Sequence, residues 1–293
     1  MKNINIKEKL NKFYDILCPP GIKCVFCGDD IKHPNKYHYC NSCKESLPYN
    51  NKKVCSLCGC KIEDSSNLCL NCFKELPNFD MARSPFLYER PISSIVNKFK
   101  FENAKYLFKP LSEFLIDEYK KSGFNAEIII PMPLSKQHLK ERKYNQAEEL
   151  AKPVAEALNI EISTEIIERV KDTKKQSRLN YEERKKNLEG AFKIKNKTKI
   201  KNKVVLVIDD VFTTGSTLNA FCKELRKAKP AKILVLTLAH TNLNRKQPQN
   251  MLTLLKTSLK TKLKIAKNHN KILKRMRKVI KLYSSGKVNI IVH

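Results

Sequence analysis

Residues 204–218, VVLVIDDVFTTGSTL, constrain this chain more than any other stretch. Five apolar residues, three of them Val, read as a buried strand at 204–208, and they run straight into two adjacent carboxylates, Asp209 and Asp210. A loop with one glycine and four Thr/Ser follows, and then a helical pattern opens at 218–228. A second apolar run at 233–239 completes a βαβ unit, and strands alternating with helices argue a parallel α/β sheet. Ligands of such sheets bind beyond the carboxyl ends of the strands, where the two acids stand. The loop Thr213-Thr214-Gly215-Ser216-Thr217 offers backbone N–H groups, hydroxyls and a helix N-terminus, the parts of a phosphate cradle. In this reading Gly215 lets the backbone approach a ligand. Two acids beside one phosphate pocket suit a sugar phosphate, with ribose hydroxyls on the carboxylates and the 5′-phosphate in the loop. Gly215 is the only glycine between Gly190 and Gly286, so neither GxGxxG nor GxxxxGK[ST] can be written there.

Upstream, periodicity predicts helices over 6–17, Ile92–Phe99, Leu107–Tyr119 and 144–158, the last kinked at Pro153. Short strands are expected at Glu127–Ile130 and Ile166–Val170. Residues 171–192, KDTKKQSRLNYEERKKNLEGAF, have few apolar anchors and read as a mobile loop.

Between Cys24 and Cys72 the chain is dense in cysteine and turns. The spacing Cys24-x2-Cys27, twelve residues, Cys40-x2-Cys43 recurs as Cys55-x2-Cys58, ten residues, Cys69-x2-Cys72. A CxxC turn aims two thiolates at one point, and two turns complete a tetrahedral shell for structural Zn²⁺. Gly28 and Gly59 follow the second cysteine of each first pair, where a tight knuckle wants no Cβ. The pairs can ligate in sequence or cross-brace, for one zinc or two. Cys60 is an alternative to Cys58, and His33 or His38 an alternative ligand in the first site. Cys222, within a helical pattern, reads as a buried structural thiol.

Fifty-eight Lys/Arg against 29 Asp/Glu leave a net charge of +29. Fourteen of the basic residues and no acid lie between Thr241 and His293, so residues 1–240 carry 44 basic and 29 acidic residues, or +15. Such an excess favours a polyanion, although 48 Lys to 10 Arg also fits an AT-rich coding bias. No run of about twenty apolar residues reads as a membrane-spanning helix, and the N-terminus lacks the uninterrupted apolar core of a secretory signal. A cytoplasmic chain is expected, in which eleven cysteines serve metal or catalysis more readily than disulfides. In the tail, Leu252, Leu255, Leu259, Leu263, Ala266, Leu273, Met276 and Ile280 fall near one helical stripe among lysines. That pattern suits an anionic membrane surface contacted peripherally, a nucleic-acid groove, a docked partner, or a frayed extension.

VVLVIDDVFTTGST resembles the phosphoribosyl diphosphate (PRPP) motif of type I phosphoribosyltransferases. PMPLSKQHLKERKYNQAEELA (131–151) resembles a segment of ComF-type competence proteins, as do the opening helix, the CxxCG knuckles and the run Gln176, Leu179, Arg184, Asn187, Gly190–Phe192. The resemblance covers roughly residues 10–240 and leaves the tail outside. It implies three parts: an N-terminal helix plus zinc module (1–79), a phosphoribosyltransferase-like domain with a parallel sheet flanked by helices (80–240), and the basic tail (241–293). It further implies a role in DNA uptake during natural transformation, with a DNA-uptake helicase as partner. Asp209 and Asp210 would hold the ribose hydroxyls, and Thr213, Thr214, Gly215, Ser216 and Thr217 the 5′-phosphate. Arg142, Asn145 and Gln146 would face the pyrophosphate. Lys174, Gln176 and Arg178 would sit on a closing loop, and Mg²⁺ would bridge ribose and pyrophosphate oxygens. Asp209, Asp210 and Arg142 are the candidate catalytic residues.

No segment announces an acceptor pocket, so two functions stand side by side. One is a protein that binds PRPP and single-stranded DNA; the other is an active transferase moving the phosphoribosyl group to a nucleobase or amine. Tyr37, Tyr39, Tyr49 and Phe73, set among lysines, are the aromatics expected to stack on unpaired bases, unless they pack the small zinc cores instead.

Overall fold

The computed structural model describes residues 23–31, 35–62, 66–102, 104–171 and 187–242. The predicted helix at 6–17, the loop residues Lys174, Gln176 and Arg178, and the tail stripe lie outside them.

One sheet organises the described residues. Its strands are β1 (Met81–Arg83), β2 (Phe86–Leu87), β3 (Ile128–Pro131), β4 (Glu161–Ile162), β7 (Val204–Phe212) and β8 (Lys232–His240). The order is β1-β8-β7-β3-β4, β2 also pairs with β8, and every pairing is parallel. A separate antiparallel pair joins β5 (Ile167–Arg169) to β6 (Phe192–Ile194). The central strands are apolar nearly end to end because both faces are covered, as parallel sheets require. β3, Ile-Ile-Ile-Pro, is buried at all four positions.

Alternation along the strands divides the core in two. Leu206, Ile208, Leu234 and Leu236 face a cluster built from α3 (Ile92–Phe101), α4 (Phe108–Lys121) and α6 (Gln146–Leu158). Val205, Val207, Ile233 and Val235 face the other, built from α7 (Ser216–Arg226) and the β5–β6 pair. In α3 the buried residues Ile92, Ile95, Val96 and Phe99 recur at helical spacing and fix which face turns inward. α6 carries Pro153 in its interior, and Asn145 caps its start, the carboxamide oxygen accepting the Ala147 N–H at 3.1 Å.

The cysteine-rich segment straddles the β1–β2 edge of this sheet. Its first half, with α1 (Asn41–Ser46), joins the first cluster through Cys24, Tyr39 and Leu47. Its second half, with α2 (Leu70–Lys74), joins the other cluster through Cys55, Cys58, Cys69 and Cys72. Asn50, between the halves, is buried and stitches them to the edge. Its backbone N–H donates to Pro85 O at 2.8 Å, and its side-chain amide donates to Gly59 O at 2.9 Å and Ser84 O at 3.3 Å. Three of the four aromatics expected to await bases are packed instead. Tyr37 and Tyr39 stack at 5.1 Å and both lie against Phe114 of α4; Tyr49 packs on Phe86. Phe73 alone of the four is exposed.

Candidate functional site

The sequence placed the acids after strand 204–208; the strand continues through them to Phe212. Val211 and Phe212 are apolar and pair with Ala239 and His240 of β8, which carries the ladder past the acids. Asp209 and Asp210 therefore stand at the carboxyl end of the central strand, as expected, but within its ladder. The Asp210 N–H donates to Asp209 Oδ1 at 2.8 Å. Burial, and then the neighbouring charge of Asp210, push the Asp209 carboxyl up to about 7, against the Asp210 N–H, Lys100 and Arg169.

Lys100 was not foreseen. It sits in the last turn of α3, and its Nζ lies 2.6 Å from Asp210 Oδ2 in a largely buried ion pair. Its proximity to Asp210 depends on the packing of α3 against the sheet, which no local pattern announces.

α7 begins at Ser216, two residues before the predicted start, and Gly215 is its N-cap residue at φ +74°. An added Cβ at Gly215 would lie 2.7 Å from the Phe212 ring. The glycine is thus required by the ring packed beneath the loop, a different reason from the expected approach of a ligand. Within the loop, Thr214 Oγ1 and Ser216 Oγ are 2.9 Å apart, and the Ser216 N–H donates to Thr214 Oγ1 at 3.3 Å. Hydroxyls and the first N–H groups of α7 are gathered at one point, the composition an anion recognises. Thr213 is exposed and Thr214, Gly215, Ser216 and Thr217 are half-buried, open to a ligand.

The segment after β3 supplies the third side of the edge. Ser135 caps the short helix α5 (Lys136–Arg142). Asn145, besides capping α6, donates from Nδ2 to Met132 O at 3.0 Å, so both ends of its carboxamide hold this loop in place. Arg142 Nη1 donates to Gln146 Oε1 at 3.0 Å, while the Gln146 side-chain nitrogen is buried without a hydrogen-bond partner. An unpaired buried donor at this edge is a costly feature that a bound acceptor would relieve.

A cavity of about 410 Å³ lies between the second cysteine knuckle and the loop, lined by Cys60, Phe79, Phe212, Thr213, Thr214 and His240 among others. Burial holds His240 down at about 4, so the ring is neutral. Nδ1 lies 2.7 Å from Thr241 O and must donate to it, which leaves Nε2 as a buried acceptor with no partner.

Both cysteine quartets close in sequence rather than cross-bracing. Cys24, Cys27, Cys40 and Cys43 bring their sulfurs within 4.8 Å of one another, as do Cys55, Cys58, Cys69 and Cys72. Cys27–Cys40 and Cys58–Cys69 are 3.7 and 3.6 Å apart. Zinc–sulfur bonds of about 2.3 Å place tetrahedral sulfurs about 3.8 Å apart, so the spacing fits Zn²⁺ and is far too long for a disulfide. Backbone N–H groups of Cys40 and Cys72 donate to Cys24 Sγ and Cys69 Sγ, as thiolate shells require. Cys58, not Cys60, completes the second quartet, and neither quartet includes His38. Cys222 is buried in α7 and its thiol is pushed up by burial, as a structural residue should be.

Residues 145–267 match the phosphoribosyl transferase domain family. Competence protein F of Haemophilus influenzae is 33% identical over 228 residues, spanning 75% of this chain and 97% of its own. The DNA utilization protein YhgH of Escherichia coli is 26% identical over 231 residues, 77% of this chain and 100% of its own. Competence protein ComFC of Streptococcus pneumoniae is 27% identical over 221 residues, 71% and 94%. Two four-cysteine knuckles on the edge of a phosphoribosyltransferase-type sheet, with identity that runs almost the full length of a competence protein, place the chain in the ComF family.

Proposed function

We propose that this chain acts in DNA uptake by binding PRPP with Mg²⁺ at the carboxyl edge of β7 and by engaging single-stranded DNA. The observation that carries the reading is the pairing of Asp209–Asp210 with the Thr213–Thr217 loop at the start of α7, in a chain whose relatives are named for competence and DNA utilization. Asp209 and Asp210 accept ribose hydroxyls, and the loop takes the 5′-phosphate. Arg142 and the free amide nitrogen of Gln146 lie toward the pyrophosphate; Asn145 acts by holding the loop. Lys174 belongs to the same proposal as a cover residue.

The carboxylate pair is a hard oxygen donor set that fits Mg²⁺, and the ion would neutralise diphosphate charge when bound. For Asp210 to serve through Oδ2, the Lys100–Asp210 ion pair must open. Lys100 is thus an internal cation holding the place of the ligand's own. Calorimetric titration with PRPP and Mg²⁺, wild type against Asp209→Asn and Asp210→Asn, tests the reading. Each single change should weaken binding by roughly 1–3 kcal/mol, the scale of a lost charge-assisted hydrogen bond. Equal affinities would remove the acids from the site.

A second reading, an active phosphoribosyltransferase, is favoured by the cavity beside the loop. Its volume accommodates a flat ring against the wall that Phe79 and Phe212 form, where His240 Nε2 would accept an N–H from it. Pyrophosphate release from PRPP in the presence of nucleobases separates the two readings.

A further inference from the structure

We infer that single-stranded nucleic acid binds across the surface formed by the end of α3, the turn before α4, and α5, beside the Lys100–Asp210 ion pair. The inference rests on the single-strand half of the proposed function and replaces the zinc module as the stacking platform. Phe101 and Tyr106 are 75% and 71% exposed, the two most exposed aromatics among the described residues, and Leu139 of α5 is 45% exposed. They are exposed by geometry. Phe101 follows the buried Phe99 by two positions, about 200° around the helix, and Tyr106 stands between buried Ala104 and Leu107.

Contacts join the three elements into one face. The Arg142 guanidinium lies 6.0 Å from the Phe101 ring centre, and Lys105 Nζ lies 5.0 Å from that of Tyr144, just beyond α5. The charge is one-sided: residues 98–109 and 136–143 hold seven Lys/Arg besides the paired Lys100, against Glu102 and Glu141. Asp210, the acid beneath, is covered by Lys100. Rings open to solvent between cations are what unpaired bases and their phosphates recognise, and a duplex hides the base faces that the rings need.

The chain contains no Trp, so Phe101→Trp makes a single reporter on this face. Titrated with oligothymidine, full-length Phe101→Trp should show quenching that saturates with binding, as stacking requires. By anisotropy with labelled oligothymidine, Phe101→Ala/Tyr106→Ala should bind at least about 5-fold more weakly for each ring removed, while Phe73→Ala binds as wild type. Matching melting temperatures confirm that these surface changes leave the fold intact. Wild type that binds oligothymidine while the double variant binds equally well, or a reporter that binds without quenching, overturns the surface and leaves the single-strand reading standing. Loss of binding in Phe73→Ala instead returns the platform to the zinc module and also overturns it. No binding by wild type defeats the single-strand reading itself and this inference with it. A double variant that loses affinity only for phosphatidylglycerol vesicles, and not for oligothymidine, reassigns the face to membranes.

Discussion

Two glycines that look equivalent in sequence are not equivalent in the molecule. Gly28 and Gly59 each follow the second cysteine of a knuckle and sit at φ +85° and +72°, where an L side chain costs about 1–2 kcal/mol. A Cβ at Gly28 would meet nothing within 4 Å, whereas at Gly59 it would lie 2.5 Å from the carbonyl oxygen of Ala82 in β1. Gly28→Ala should therefore cost only the backbone term, and Gly59→Ala roughly a further 1–3 kcal/mol from overpacking, read by denaturant unfolding. Equal costs would mean that the second knuckle is not seated on β1. Asp209 yields a prediction with a sign. Its folded value, about 7, lies above the ordinary 3.8, so between the two the folded chain binds more protons than the unfolded one. Its favourable contribution is complete below the unfolded value and is lost as pH rises through about 7. Asp209→Asn should therefore melt progressively higher than wild type as pH goes from 5 to 8, by about 2–4 °C per kcal/mol relieved. Mg²⁺–PRPP affinity of the wild type should move the opposite way, tightening over the same window as the carboxylate ionises.

At the scale of elements, Gly215 and Phe212 form a unit that the strand–loop–helix pattern did not reveal. Gly215→Ala drives a Cβ into the Phe212 ring, while Phe212→Leu leaves room but loses contacts to Phe79 and His240. The double variant should be more stable than the sum of the single losses implies, by about 0.5–3 kcal/mol of coupling. Strict additivity in thermal or denaturant unfolding would show that the loop moves aside freely. Legibility follows the same physics. Long apolar runs and helical stripes were readable, because both faces of β7 and β8 and one face each of α3, α4 and α6 are buried. The cysteine quartets were readable because metal geometry restricts spacing. Strands β1, β2, β4 and β6 were missed, since two or three residues show no period. α5 was missed because it has no buried residues, and Lys100 because ion-pairing across the fold leaves no local trace. Whether the tyrosines stack on bases or pack stays open in the sequence for the converse reason. Phe114, the partner of Tyr37 and Tyr39, and Phe86, the partner of Tyr49, lie far along the chain.

For the molecule as a whole, the two knuckles stand on opposite faces of one sheet and should serve the site unequally. Elemental analysis of protein purified without oxygen should give two zinc ions per chain, one for each quartet. The first knuckle leans on α4 through Tyr37, Tyr39 and Phe114, away from the phosphate loop. The second forms a wall of the cavity that Thr213–Ser216 also line. It continues into Asn78, whose N–H donates to Asn219 Oδ1 of α7 at 2.6 Å, and into Asp80, which pairs with Arg226 of the same helix at 2.8 Å. Zinc in the second quartet would thus help hold α7, the helix whose N-terminus is proposed to take phosphate. Structural zinc contributes folding free energy directly, so losing either ion should lower the melting temperature. Only loss of the second should also reach the ligand. Cys72→Ser is therefore expected to lose one zinc and weaken PRPP binding by about 10-fold or more, whereas Cys43→Ser loses one zinc and retains near-wild-type affinity. The fold-change corresponds to about 1.4 kcal/mol, small beside the zinc term and well within what a loosened helix N-terminus would forfeit. Calorimetry on both variants below their melting temperatures decides. Equal losses would make zinc a general stabiliser of the sheet edge, and a larger loss in Cys43→Ser would mean that coupling runs through α4 instead.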